Sequence, residues 1–126
     1  MRTFALAFGL LLTTLIGVFA AQDQHARISG NSRELLVFEH PDCTYCKVFR
    51  RDVLPLYRTG TETASTPIRF IDIERTDIST LPLRTPVQMV PTFVVVQDGI
   101  EIDRISGYWS PDNFFKMLTR ILARAE

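Results

Sequence analysis

The chain has 126 residues, 46% of them hydrophobic, with 14 basic and 14 acidic side chains and a formal net charge of zero. The basic residues are scattered rather than clustered, so nothing points to a nucleic-acid partner. Two cysteines are too few for the disulfide framework of a small secreted scaffold.

Residues 1–20 read as a secretory signal peptide. Arg2 gives a short basic start, Phe4 to Val18 is an apolar stretch, and Val18-Phe19-Ala20 fits a small-residue cleavage pattern. This predicts a periplasmic protein with no membrane span after cleavage. An uncleaved anchor is the alternative, because the apolar run is near the lower length limit for crossing a bilayer. Export matters chemically, since an oxidising compartment permits disulfides. Residues 21–33 are polar and aperiodic and read as a mobile arm, which leaves residues 34–126 as one small domain.

Leu35 to Phe38 is a continuous apolar run, as expected of a central strand covered on both faces, and Glu39 extends it. Then comes His40-Pro41-Asp42-Cys43-Thr44-Tyr45-Cys46-Lys47, followed by apolar residues at helical spacing: Cys46, Phe49, Val53, Leu56 and Tyr57. The cysteines therefore fall where a strand ends and a helix begins. Pro41 suits an extended entry, and Asp42 is a candidate cap for a helix beginning near Cys43. Lys47, Arg50 and Arg51 read mostly as a solvated face. Pro55 should kink or end the helix, and the polar stretch from Thr59 to Pro67 carries no visible chemistry.

Ile68 to Ile73 alternates and is predicted to be a strand parallel to the first, completing a strand–helix–strand unit. Thr76 or Asp77 can cap a short helix through Thr80, with Pro82 and Pro86 limiting its length. Thr92 to Val96 is a β-branched strand, Asp98-Gly99 is a hairpin signal, and Ile100 to Ser106 returns. Ser110-Pro111-Asp112 opens a final helix whose buried face is Phe114, Leu118 and Ile121, with Phe115 and Leu122 beside them.

The chemistry lies in the cysteine pair. Unpaired N–H groups and the dipole at a helix start favour a thiolate over a thiol, which makes Cys43 a candidate nucleophile. Zinc would need four ligands, and only His40 and His25 could add to the pair; a metal-binding module using Cys43, Cys46 and His40 is the reading from another class. Covalent haem needs a histidine directly after the second cysteine, where Lys47 stands. An inert structural disulfide would close a very short loop and stabilise little. A redox-active dithiol is the best reading.

Three features together resemble the thioredoxin superfamily over nearly all the chain from Glu34: the strand–Cys43-Thr44-Tyr45-Cys46–helix unit, Val90-Pro91-Thr92-Phe93 leading into a strand, and the hairpin followed by Gly107 and an amphipathic helix. The Phe-Glu-x-x-x-Cys approach, Tyr45, and Gly107-Tyr108 before Phe114-Phe115 are similar to the exported thioredoxins of bacterial sulfur-oxidation (Sox) operons. The resemblance implies an α/β, thioredoxin-like fold close to its minimal core, with a central mixed β-sheet flanked by helices. It implies that Cys43 attacks, Cys46 resolves, and Pro91 follows a cis bond and shapes the client groove. Thr44, Tyr45, Val90, Tyr108 and Trp109 are then candidate client contacts, with no metal and no cofactor needed.

Many thioredoxins carry a buried acid where this chain has Val37. Glu39 lies on the same strand face and is the candidate replacement, or else a solvated acid at the strand end. His40, if protonated, would favour a thiolate at Cys43, or it is a plain loop residue. The expected partners are proteins with disulfides and a membrane thiol reductase that supplies electrons. Thr44 and Tyr45 carry no positive charge and Asp42 adds a negative one, so a mainly reducing role is expected; an oxidase of secreted thiols is the alternative.

Overall fold

The computed structural model describes residues 32–125. Residues 1–20, read from sequence as a signal peptide, most of the predicted arm, and His25 lie outside the described residues. The elements in order are β1 (Arg33–Glu39), α1 (Thr44–Asp52), α2 (Leu54–Thr59), β2 (Ile68–Asp72), a 3-10 turn (Ile78–Thr80), β3 (Thr92–Gln97), β4 (Ile100–Ser106) and α3 (Pro111–Arg124). The four strands form one mixed sheet in the order β2-β1-β3-β4, with β1 parallel to β2 and antiparallel to β3. Arg33, taken from sequence as the end of the arm, already pairs with Gln97, and Ser32 exchanges hydrogen bonds with Asp98.

The continuous apolar run in β1 has the expected cause. Leu35, Leu36, Val37 and Phe38 are all buried, and they alternate between two cores. Leu35 and Val37 face α1 and α3, where Phe49, Phe93 and Phe114 form a tilted aromatic triad with centroids 4.6–5.1 Å apart. Leu36 and Phe38 face the other way, against Ile71, Val94 and Val96.

That second face is covered by chain without a long helix. The short helix expected through Thr80 is a single 3-10 turn, capped by Asp77, whose Oδ1 accepts the Ser79 N–H at 3.1 Å. Pro82 and Pro86 each remove a donor that a longer helix would need. Half-buried Ile73, Ile78, Leu81, Leu83, Val87 and Val90 pack on the sheet instead.

The helix after the cysteines is interrupted two residues before Pro55, at Val53, and the proline falls in the first turn of α2, where its missing N–H costs nothing. The restart turns Leu54 inward and leaves Leu56 52% exposed, which corrects the expected apolar stripe. At the hairpin tip both Asp98 and Gly99 have positive φ, as a two-residue primed turn requires. Ser110 caps α3 through its Oγ, which accepts the Asn113 N–H at 3.2 Å.

The polar stretch after α2 is also fixed. Tyr57 is buried and its hydroxyl donates to the Thr66 carbonyl at 2.6 Å. Burial pushes the Tyr57 phenol well above its ordinary range. We expect Tyr57→Phe to cost about 1–3 kcal/mol at neutral pH by leaving that buried carbonyl unpaired. A group whose folded pKa is raised stabilises fully below its unfolded pKa of about 10 and loses that contribution as pH rises. The stability gap between wild type and Tyr57→Phe, read by urea denaturation, should therefore narrow in alkaline buffer.

Candidate active site

The sheet register gathers the loops that carry the site. Phe38 pairs with Thr92, Thr92 with Ser106, and Glu39 with Asp72. The end of β1, the start of β3 and the ends of β2 and β4 therefore share one edge of the sheet. The residues leaving that edge include Cys43, Pro91 and Gly107.

Cys43 and Cys46 are joined as a disulfide with their Cα atoms 5.2 Å apart. Cys43 is half-buried, whereas Cys46, a turn into α1, is 3% exposed. Cys43, rather than the candidate Asp42, is the N-cap: its backbone is extended and its Sγ accepts the Cys46 N–H at 3.0 Å. The sulfur thus takes the place usually filled by a serine or aspartate oxygen. A thiolate there accepts this bond more strongly than a thiol does, because charge-assisted hydrogen bonds are stronger.

The approach loop is held by His40. Its Nδ1 accepts the Asp42 N–H at 3.0 Å, and its Nε2 lies 2.8 Å from Glu74 Oε1. His40 thereby ties the loop after β1 to the loop after β2. Glu39 is neither solvated nor bare: its carboxylate takes a two-bond fork from Arg50 of α1, at 2.8 and 2.5 Å, and the same guanidinium lies 3.5 Å from the Phe70 ring centroid. That bond to Glu39 raises the Arg50 pKa against the cost of burial.

The Val90–Pro91 peptide bond is cis and Pro91 is buried. This turn is fastened on both sides, by Thr92 Oγ1 donating to the Met89 carbonyl at 2.7 Å and by the Gly107 N–H donating to the Pro91 carbonyl at 2.8 Å. Gly107 has a φ of +82°, which side chains with a Cβ rarely adopt, and the Met89 sulfur lies beside it. Met89 joins the exposed apolar side chains of this region without having been singled out from sequence.

The candidate client contacts divide. Trp109 is 84% exposed, and Thr44 and Tyr45 are exposed as well. Tyr108 instead sets its ring edge-on to Phe49 at 6.0 Å, and its buried hydroxyl has no partner among the described residues. Burial, with Asp52 adding to it, pushes the Tyr108 phenol up. Val90 is half-buried against the second core. Among the described residues no group of three or more His, Cys, Asp or Glu side chains is arranged to hold a metal ion. One element that sequence reading missed is the buried Glu101 with Arg104, because residues three apart in a strand ordinarily face opposite sides.

The family model described as a thioredoxin-like domain matches residues 19–122. Among solved structures, the chain is similar to the reduced periplasmic thioredoxin SoxS from Paracoccus pantotrophus, at 33% identity and a TM-score of 0.69, covering 75% of this chain and 99% of that one. It also shares its fold with the thioredoxin of Malassezia sympodialis (18% identity, TM-score 0.56, covering 77% and 81% of the two chains). The thioredoxin of Fasciola hepatica is comparable (20%, 0.56, covering 72% and 82%). A search of curated proteins finds no match. A domain match spanning most of the chain, over a fold that sets a cysteine pair at the head of α1, makes this protein a member of the thioredoxin-like family and a thiol–disulfide oxidoreductase.

Proposed function

We propose that this is a periplasmic reductant of protein disulfides, one whose client is a sulfur-carrier protein with a reactive cysteine. The single observation that carries the reading is the inequality of the two sulfurs: Cys43 is accessible at the helix cap and Cys46 is buried behind it. Support for the compartment and the client class comes from the 33% identity to a periplasmic SoxS thioredoxin, together with the signal-like residues 1–20.

In the proposed cycle the Cys43 thiolate attacks one sulfur of a client disulfide. A Cys43–client disulfide forms and the other client sulfur leaves as a thiolate. Cys46 loses its proton and attacks the Cys43 sulfur, releasing the second client thiolate and closing the Cys43–Cys46 disulfide. Two electrons pass to the client, and both of its sulfurs end as thiols after protonation. A membrane thiol reductase then returns two electrons to the pair. Pro91 and the Val90 backbone shape the groove, and Thr44, Tyr45 and the exposed Trp109 line its rim. Glu39 and His40 support the site through Arg50 and Glu74 rather than by touching sulfur.

Charge supports the proposed direction. A strong oxidant over-stabilises its thiolate form, and the residues between these cysteines, Thr44 and Tyr45, offer no cation for that. The helix terminus is left as the chief stabiliser. The potential, read by equilibration with glutathione buffers, should lie below the roughly −120 mV of a dedicated oxidant and near −200 mV or lower. A value at the oxidant's end, with rapid oxidation of a reduced unfolded client, would instead establish an oxidase of secreted thiols.

After reduction, brief iodoacetamide treatment with mass mapping should label Cys43 well before Cys46, since the Cys43 thiol should titrate below the ordinary value of about 8.5. Preferential labelling of Cys46 would reverse the two roles. Cys46→Ala should arrest the cycle at the mixed disulfide and retain the client covalently on Cys43, where a non-reducing gel and mass spectrometry identify it. Loss of that adduct in Cys43→Ala is the control.

A further inference from the structure

Among the described residues, Glu101 is the buried charged side chain that the sulfur chemistry leaves unused. Its side chain is 2% exposed, on the sheet face that has no long helix over it. In a regular strand Glu101 and Arg104 would point to opposite faces. Here Val96 pairs with Glu101 while Val95 pairs with Asp103, so β4 carries one extra residue at a bulge. Beyond it, Arg104 stands opposite Val94. Both charged side chains therefore share the face of Val94 and Val96.

The pair there grips main chain. Arg104 donates from Nε to Glu101 Oε1 and from Nη2 to Glu101 Oε2, both at 2.7 Å. The same guanidinium reaches the Thr85 carbonyl at 2.9 Å and the Pro86 carbonyl at 3.4 Å. Glu101 Oε2 also accepts the Arg84 N–H at 2.8 Å, and the Arg84 guanidinium donates to the Ile102 carbonyl. Residues 84–86 are thus fastened to β4 by polar bonds. The chain then runs directly to Val90–Pro91, where the next anchors are the Met89 and Pro91 carbonyls. Arg84, Thr85 and Pro86 are themselves exposed, so these bonds to β4, and not burial of their side chains, hold the connection in place.

We propose that Glu101 and Arg104 are positioning residues for client docking. They fix the connection that presents Val90 and Pro91, and so set the affinity for protein disulfides, while the reactivity of the cysteines is independent of them. The proposal rests on the oxidoreductase reading and on client docking at the Pro91 turn. Stability alone is a weak reason for the pair, because buried ion pairs can often be replaced by apolar side chains without loss.

Two variants test it. Arg104→Lys keeps a cation beside Glu101 but loses the planar fork that also reaches Thr85 and Pro86. Glu101→Leu with Arg104→Met removes both charges at similar volume. Each folded variant is assayed with dithiothreitol as electron source, against insulin as a protein disulfide and hydroxyethyl disulfide as a small one. The KM for insulin should rise about tenfold with kcat held, as expected when binding alone is lost. The rate with hydroxyethyl disulfide and the redox potential should not move. An unchanged insulin KM in a folded variant would overturn the proposal, as would parallel losses on both disulfides. A wild-type protein inert towards both would remove the oxidoreductase reading and the clamp with it. Hydrogen exchange of the wild type reads the clamp directly: the Arg84 amide should be protected like those of β4, and rapid exchange there would show that no clamp exists.

Discussion

The packing of Phe49 against Phe93 and Phe114 is the contact on which the rest depends. Phe49 lies one turn beyond Cys46 on α1, so the ring that anchors the helix to β3 and α3 also fixes the depth of the buried cysteine. Tyr108 rests edge-on against the same ring. One side chain thereby connects the core, the cysteine helix and the Gly107 turn. A large-to-small change at such a site removes about 3–5 kcal/mol in typical cores, which approaches the whole stability of a small domain.

The two faces of the sheet are built by different means. The face towards α1 and α3 is closed by helices, with dense aromatic contact behind the cysteines. The opposite face is closed by a connection that has only a 3-10 turn of regular structure. Apolar contacts there come from half-buried side chains, so backbone polar groups need specific partners, and the Glu101–Arg104 pair supplies them. Rigid placement of sulfur and polar placement of the adjoining Pro91 segment follow from this asymmetry.

Charge around the site is arranged in pairs rather than concentrated on sulfur. Glu39 is matched by Arg50, and Asp52 by Arg51. The nearest specific support for the Cys43 sulfur is the Cys46 N–H at the start of α1. Stabilisation of a thiolate by backbone dipoles is milder than by an adjacent fixed cation.

Sequence alone determined much of this protein, because the informative signals are local. A run of four apolar residues before the cysteines, helical spacing after them, a β-branched strand behind Pro91, Asp98-Gly99 and Ser110-Pro111 each act over a few residues. They located β1, α1, β3, β4 and α3 and placed the cysteine pair at a helix start. Tertiary structure decided what depends on distant partners. Sulfur displaced Asp42 as the cap because the Cys43 side chain turns back on the Cys46 N–H. Glu39 became half of a fork because Arg50 lies over it on α1, and Tyr108 turned inward because Phe49 offers it a face. Glu101 and Arg104 met only because a bulge shifts the register of β4, and the alternation of apolar residues in the sequence does not encode where a partner strand will force an extra residue out of the ladder.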